Sequence, residues 1–383
     1  MNEQKINAFF DDGQPKGLGT GWWAGVLATF FGVLGLGGVV CLHFPQWLSS
    51  PELRAHYSLP VIRMTLEATI LAALVMGAVS AMLRKKKALA ATGVVLAIAA
   101  LAFGGWSVPI DQPLKDGPAI GLDWFLLDLL ATALIYVPLE RFWPQDPSQS
   151  TFRPQWTLDV VYFLSTHLPI QGLSYFVLLP ATFATRYLAI PPLAHFIAEL
   201  PLLVQFVLAV LVADFAEWGI HFALHKVPFL WRFHSIHHSS QALDWIAGSR
   251  SHFFDDTLVR GAVLAPLMLA FSQPVILAYL VFVTLHATWT HCNFGPNAKW
   301  LERFLVMPRY HHWHHSSQRE AIDKNFAIHF PWIDRLLGTY YFPESWPERY
   351  GIVGEEIPNG FIRQTYEPFF RPNRRVSKAK AAE

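Results

Sequence analysis

The sequence predicts an all-α fold, a polytopic membrane helical bundle with a histidine-rich helical cap on its cytosolic side. Three observations predict it. Only 15% of the 383 residues are charged while 53% are hydrophobic, and the mean hydropathy is +0.30; a soluble globular chain carries roughly 25% charged residues. Apolar runs of about 20 residues recur along the chain, the length a helix needs to cross the hydrocarbon core. All but four of the 17 histidines (His43, His56, His167 and His195) fall between His221 and His329.

The start, Met1 to Gly21, is polar and mixed in charge and lacks a short apolar run with a small-residue cleavage site, so no secretory signal peptide is expected there. Trp22–Leu42, Pro60–Leu83 and Ala88–Val108 are the first candidate spans. Arg63 and Glu67, one turn apart in the second, can satisfy each other near the interface. Leu122–Leu139, Val160–Phe183 and Leu200–Phe222 bring the expected number of spans to six. Pro169 could turn Val160–Phe183 into a hairpin. Leu258–Trp289 is divided by Pro274 into pieces that look too short to span singly, and it reads as a re-entrant hairpin.

The run Arg84-Lys85-Lys86-Lys87 between the second and third spans sets the orientation, because cytoplasmic loops carry the excess of Lys and Arg. The N-terminus, Arg141–Arg153 and everything after His221 are then cytoplasmic, and the Asp111–Asp116 loop lies outside. Composition divides the chain into a membrane module of about three helices (1–115), a histidine-bearing region (116–348) and a basic tail (349–383). No repeat of 20–50 residues indicates a solenoid.

Several function classes are excluded early. A net charge of +1 offers nothing to a nucleic-acid backbone. Two cysteines, Cys41 and Cys292, cannot build a disulfide framework, a thiolate zinc site or an iron–sulfur cluster. The metalloprotease signature HExxH and a dinucleotide-binding glycine fingerprint are both absent from the sequence.

What remains is histidine chemistry. His221 and His225 are four apart and share a helix face, with Asp214 and Glu217 on the same stripe. Neutral imidazole is a common ligand of iron, zinc or copper, and nearby carboxylates often fix its tautomer. Taken alone, HxxxH is equally an interfacial histidine pair. His234, His237 and His238 repeat the pattern at offsets of three and four, as do His311, His314 and His315. These boxes offer eight nitrogen donors. A single catalytic zinc takes three protein ligands and a structural one four, so eight imply two metals with room for oxygen or water.

The phrases HKVPFLWRFHSIHHS (His225–Ser239), PRYHHWHHS (Pro308–Ser316), DKNF (Asp323–Phe326) and PWIDRLLGTYY (Pro331–Tyr341) resemble the fatty acid hydroxylase/sterol desaturase superfamily over roughly residues 116–345. The resemblance implies membrane enzymes whose histidines hold a di-iron centre on the cytosolic side. Such enzymes use dioxygen and two electrons to hydroxylate, desaturate or demethylate sterols, fatty acyl chains and related lipids. Phe222 and Ala327 depart from the common pattern, where Arg and Gly are frequent; neither removes a ligand.

The resemblance makes His291, in His291-Cys292-Asn293, a further ligand, and places Arg250-Ser251-His252 with Asp255 near the metals. His252 and His312 are carried as candidate ligands; with His286 they stay open between ligation and local hydrogen bonding. Asp214 and Asp334 are candidates to receive a ligand histidine's N–H. The expectation is an oxygen-dependent di-iron lipid hydroxylase, or desaturase, with its active site on the cytoplasmic side. Its electrons would come from a separate electron-transfer protein. The rival readings are a histidine-rich membrane metal-binding or transport protein, and a bis-histidine haem protein.

Overall fold

The computed structural model describes residues 3–10, 13, 16–50, 58–109, 121–168, 170–296 and 298–372. Among the described residues the protein is all-helical with no strand, as the sequence predicts. Among the described residues six helices are long and apolar enough to cross a bilayer, and the chain is a multi-pass integral membrane protein. The Asp111–Asp116 loop, Pro169 and residues 373–383 of the basic tail lie outside the described residues.

The chain divides into two compact units, residues 1–131 with 167–172, and residues 132–166 with 173–383. In the first, α1 (Glu3–Phe10) precedes α2 (Trp22–His43), a short α3 (Pro45–Leu48), α4 (Leu59–Leu83) and α5 (Ala88–Ala102). Spans α2, α4 and α5 pack closely because small residues line their contacts. A Cβ on Gly93 would come within 2.6 Å of the Ala28 side chain, and one on Gly77 within 2.5 Å of Val94. Apolar helices in lipid gain cohesion from such close approach, since the tails around them are equally apolar. Val39, Leu66, Ile70, Ala73 and Ala97 form the buried core. Arg63 donates to the Val108 carbonyl at 3.0 Å.

α6 (Leu122–Phe142) runs from the first unit into the second. There follow α7 (Trp156–His167), α8 (Ile170–Leu188), α9 (Pro191–Ala198), α10 (Leu202–Lys226), α11 (Pro228–His237), α12 (Phe253–Ala270), α13 (Gln273–His291), α14 (Pro308–His314), α15 (Pro331–Leu337) and α16 (Phe361–Phe370). Two span assignments change. Val160–Phe183 is not one helix but parts of α7 and α8, broken between His167 and Ile170 ahead of a proline-restricted position. The run 258–289 does divide at Pro274, between α12 and α13, but the second piece is not too short: Pro274 sits in the first turn of α13, where a missing N–H costs nothing. With that start α13 reaches 19 residues and is itself long enough to span.

α10, at 25 residues, packs along α12 and α13 around Ala209, Val210, Ala213, Val263, Leu267 and Tyr279. α10 and α13 both carry a histidine in their last turn, and the end of α6 joins them: Glu140 accepts from the main-chain N–H of Trp245 (2.7 Å) and of Asn293 (3.0 Å). The C-terminal ends of three spans thus meet in one layer. α11, α14 and the loop 323–330 complete it.

Candidate metal centre

Nine histidines converge in this layer as two groups. His221, His225, His234, His238 and His314 form the first; His237, His291, His311 and His315 form the second. Within each group one donor atom per residue lies within 4.8 Å of the others. The groups adjoin, with the rings of His238 and His315 stacked at 4.4 Å.

Main-chain geometry fixes which ring nitrogen faces inward. A carbonyl oxygen can only accept, so a ring nitrogen against it carries the hydrogen. His221 Nδ1 donates to the Phe326 carbonyl (2.9 Å), His314 Nδ1 to Lys324 (2.8 Å), His237 Nδ1 to Arg250 (3.1 Å) and His291 Nδ1 to Ala287 (2.7 Å). His234 Nδ1 donates to the Asp255 carboxylate at 2.8 Å. In the neutral rings each Nε2 is then a bare lone pair. Those of His221, His234 and His314 are buried and meet no protein partner. Those of His237 and His291 face each other at 3.3 Å, and His291 Nε2 is 3.0 Å from His311 Nε2.

Such an arrangement repels itself unless something positive sits between the nitrogens. A proton is a poor candidate, because burial and the neighbouring rings push His237, His238, His311 and His315 well below the usual imidazole range, and burial takes His314 to about 3. A metal ion fits. With metal–nitrogen bonds of about 2.1 Å, nitrogens at right angles stand about 3.0 Å apart and tetrahedral ones about 3.4 Å. The observed 3.0–3.3 Å spacings lie in that window. An all-imidazole set suits a divalent first-row transition ion.

The surroundings hold the rings in place. Arg153 and Arg250 share Asp159 (2.6 and 2.5 Å), and Arg153 also grips Asp244 (2.6 Å), all buried. This network pins the carbonyl of Arg250 that receives His237. Gly248 lies against His291: a Cβ there would stand 3.0 Å from its Nδ1. Asp323 and Asn325 hold left-handed backbone (both φ 61°) on either side of the Lys324 carbonyl that receives His314. The Asn325 side chain secures this turn through Tyr341 N and O (2.8 and 2.6 Å).

The expected second layer is different in detail. Asp214 does not meet a histidine ring; it accepts the N–H groups of Ile328, His329 and Phe330 (2.8, 3.2 and 2.6 Å). Asp334 likewise takes no ring N–H: it accepts from Trp218, Tyr310, Thr339 and the main chain of Phe326 and Ala327. Both carboxylates fold the 326–330 loop, whose Phe326 carbonyl then holds His221. Asp255 serves His234 directly, and Asp323 stands 3.6 Å from His225 Nδ1. Neither His252 nor His312 joins a group. His252 caps α12 by accepting from Phe254 N and donates to Thr365 O; His312 lies between Tyr350 and the carbonyls of His291 and Cys292. His286 donates to Val306 O and pairs with His329. A cavity of about 340 Å³ borders the first group, lined by His225, His238, His314, Lys226, Asp323 and Glu355 among others.

The family model for fatty acid hydroxylases matches residues 206–339, the stretch that supplies every histidine of both groups. The ornithine lipid hydroxylase of Rhizobium tropici is 30% identical over 264 residues, covering 66% of this chain and 77% of that protein. The chain belongs to the fatty acid hydroxylase family. Alkylglycerol monooxygenases are more distant relatives of this fatty acid hydroxylase family member. The Homo sapiens enzyme is 31% identical over 132 residues (34% of this chain, 29% of that one), and the Danio rerio enzyme 31% over 147 (38% and 32%). The alignment thus spans about a third of those relatives' length. No solved structure matches the chain significantly.

Proposed function

We propose that the chain hydroxylates a C–H bond of a membrane lipid, as an oxidoreductase holding two iron ions and drawing on dioxygen and a separate electron-transfer protein. One observation carries the reading: two adjoining sets of buried imidazole nitrogens, four of the nine rings with the tautomer fixed by a main-chain carbonyl, at the ends of the spans of a fatty acid hydroxylase family member. The named relatives hydroxylate lipids, which supports hydroxylation over desaturation. By the positive-inside reading this layer faces the cytoplasm, where soluble electron donors reside. Residues 116–348 would carry the reaction, 1–115 form a membrane module and 349–383 a tail.

When bound, a pair of iron ions would supply the two-electron activation of dioxygen. The protein's part is positional. His221, His225, His234, His238 and His314 would hold one ion and His237, His291, His311 and His315 the other. The carbonyls of Phe326, Lys324, Arg250 and Ala287 keep the ligating nitrogens unprotonated, and Asp255 makes His234 a stronger donor. Phe326, wholly buried against the rings of His221, His225 and His314, keeps water from that side.

The test is metal analysis of the purified chain with a visible spectrum, paired with lipid profiles of cells making it or its His237→Ala variant. About two irons per chain, no haem absorption and a lipid that gains one oxygen only with the parent chain would support the proposal. A lipid losing two hydrogens instead would make it a desaturase. Readily exchanged metal with an unchanged lipid profile would favour metal transport and sink the enzymatic reading.

A further inference from the structure

Helix α16 (Phe361–Phe370) lies beyond the segment the family model matches. One side of it is firmly packed in the second unit. Tyr162 donates to Gln364 Oε1 (2.8 Å), His252 Nε2 to the Thr365 carbonyl (2.8 Å), and Arg371, just past its end, to Ser235 Oγ (3.2 Å). Phe369 also touches Phe233, with ring centroids 5.0 Å apart. Ser235 sits between the ligand candidates His234 and His237, so α16 lies at the level of the histidine groups, where the spans α10 and α13 end.

The other side is apolar and exposed. Ile362, Tyr366, Phe369 and Phe370 are 74%, 51%, 43% and 81% exposed. At about 100° per residue these positions cover an arc of roughly 100°, and the next positions round the helix are Arg363 and Glu367. The apolar strip continues into the exposed Phe253 at the start of α12, and the sequence after α16 carries Arg374, Arg375, Lys378 and Lys380.

We infer that α16 is an interfacial anchor whose Ile362–Tyr366–Phe370 face lies in the headgroup–acyl boundary of the bilayer the chain already spans. Three facts select lipid as the occupant: the helix is fixed at the depth where spans end, its apolar strip has the width and charged edge of a surface-lying helix, and a basic stretch follows that suits anionic headgroups. Such helices sink about 5–10 Å below the headgroups. Through Ser235 and His252 this contact sets the height of α11, and with it the histidine layer, relative to the membrane.

The test uses the full chain in vesicles of phosphatidylcholine and phosphatidylglycerol, with a nitroxide placed in turn at Ile362→Cys, Phe370→Cys and Arg363→Cys. Cys41 and Cys292 are buried and give little background labelling. Relaxation by oxygen, which concentrates in lipid, is compared with relaxation by a water-soluble nickel chelate. The expected oxygen-to-nickel ratio is several-fold higher at 362 and at 370 than at 363. Uniformly low ratios at the three positions would overturn the inference by putting the strip in water. Protection of 362 and 370 from both agents would overturn it too, because the strip would then be covered by protein such as a second copy. Two independent positions on the strip keep one misfolded variant from deciding the outcome.

Discussion

Replacing Asp255 by Asn removes one charge from beside His234 while keeping the side chain's size. Asp255 is 2% exposed, and its Oδ2 accepts from His234 Nδ1 at 2.8 Å, leaving His234 Nε2 free to point into the first group. An asparagine that turns its oxygen to the ring gives a weaker, neutral hydrogen bond. One that turns its NH2 there opposes N–H to N–H and drives the ring toward the tautomer with hydrogen on Nε2, which cannot bind metal. Outer-layer partners of this kind are worth about 10–100-fold in metal affinity, or about 1.4–2.7 kcal/mol. The assay is chelator competition on the full-length protein in detergent. Asp256→Asn serves as the control, because Asp256 pairs with Arg260 near the surface and meets no ring of either group. An Asp255→Asn chain that holds metal as tightly as the control would refute the assignment of Asp255 to the centre.

Other perturbations separate ligands from neighbours. His291→Ala should lose metal from the second group, whereas His252→Ala and His312→Ala should keep both metals; stoichiometry by elemental analysis checks this, and loss in the last two would make them ligands. Gly248→Ala places a methyl 3.0–3.4 Å from the His291 ring, nearest the Nδ1 that the Ala287 carbonyl holds, so metal affinity should fall by about tenfold with little change in melting. For the metal-free protein, burial takes His312 from its usual 6.5 down to about 3. Below about pH 6.5 the unfolded chain gains a proton that the folded one refuses, so stability is full above that pH. It falls by up to about 1.4 kcal/mol per pH unit per such group as pH drops toward the folded value. Unfolding at about pH 5 should therefore come at lower temperature than at about pH 7, and a flat profile would contradict the buried neutral rings. Asp214→Ala strips the acceptor from three buried N–H groups and should cost about 3–5 kcal/mol, read as a lowered melting temperature.

Spans and histidine boxes were legible because each has a one-dimensional signature: unbroken apolar length for the first, offsets of three and four for the second. The carboxylate partners had none. Asp214 shares the stripe of His221 but lies seven residues up α10, about 10 Å along the axis, too far for its oxygens to reach that ring. It meets instead the main chain of residues 328–330, more than a hundred positions later. Asp255 reaches His234 only because α12 folds back against α11, and no spacing rule links residues 21 apart. Asp159 and Arg153 act one step further out, through the carbonyl of Arg250. The break at Pro274 is legible in the sequence but the length of α13 is not, because a proline opens a helix as readily as it ends one and the periodicity of an apolar run does not show its start or its end.

The two HxxHH boxes also divide in a way their identical spacing hides. Residues four apart nearly superpose along a helix, while the residue three after the first is turned by about 60° from it. In α11 the pair four apart, His234 and His238, joins the first group and His237 turns to the second; in α14 His311 and His315 join the second group and His314 turns to the first. Each box therefore lends two nitrogens to one group and one to the other, with the assignments exchanged. α10 then adds His221 and His225 to the first group, and α13 adds His291 to the second. Without His291 the second group would hold three nitrogens against the first group's five, so on the proposed reading His291 would be one of its ligands. Under the proposed function the group of four, around His237, would leave its ion more room for a further ligand than the group of five.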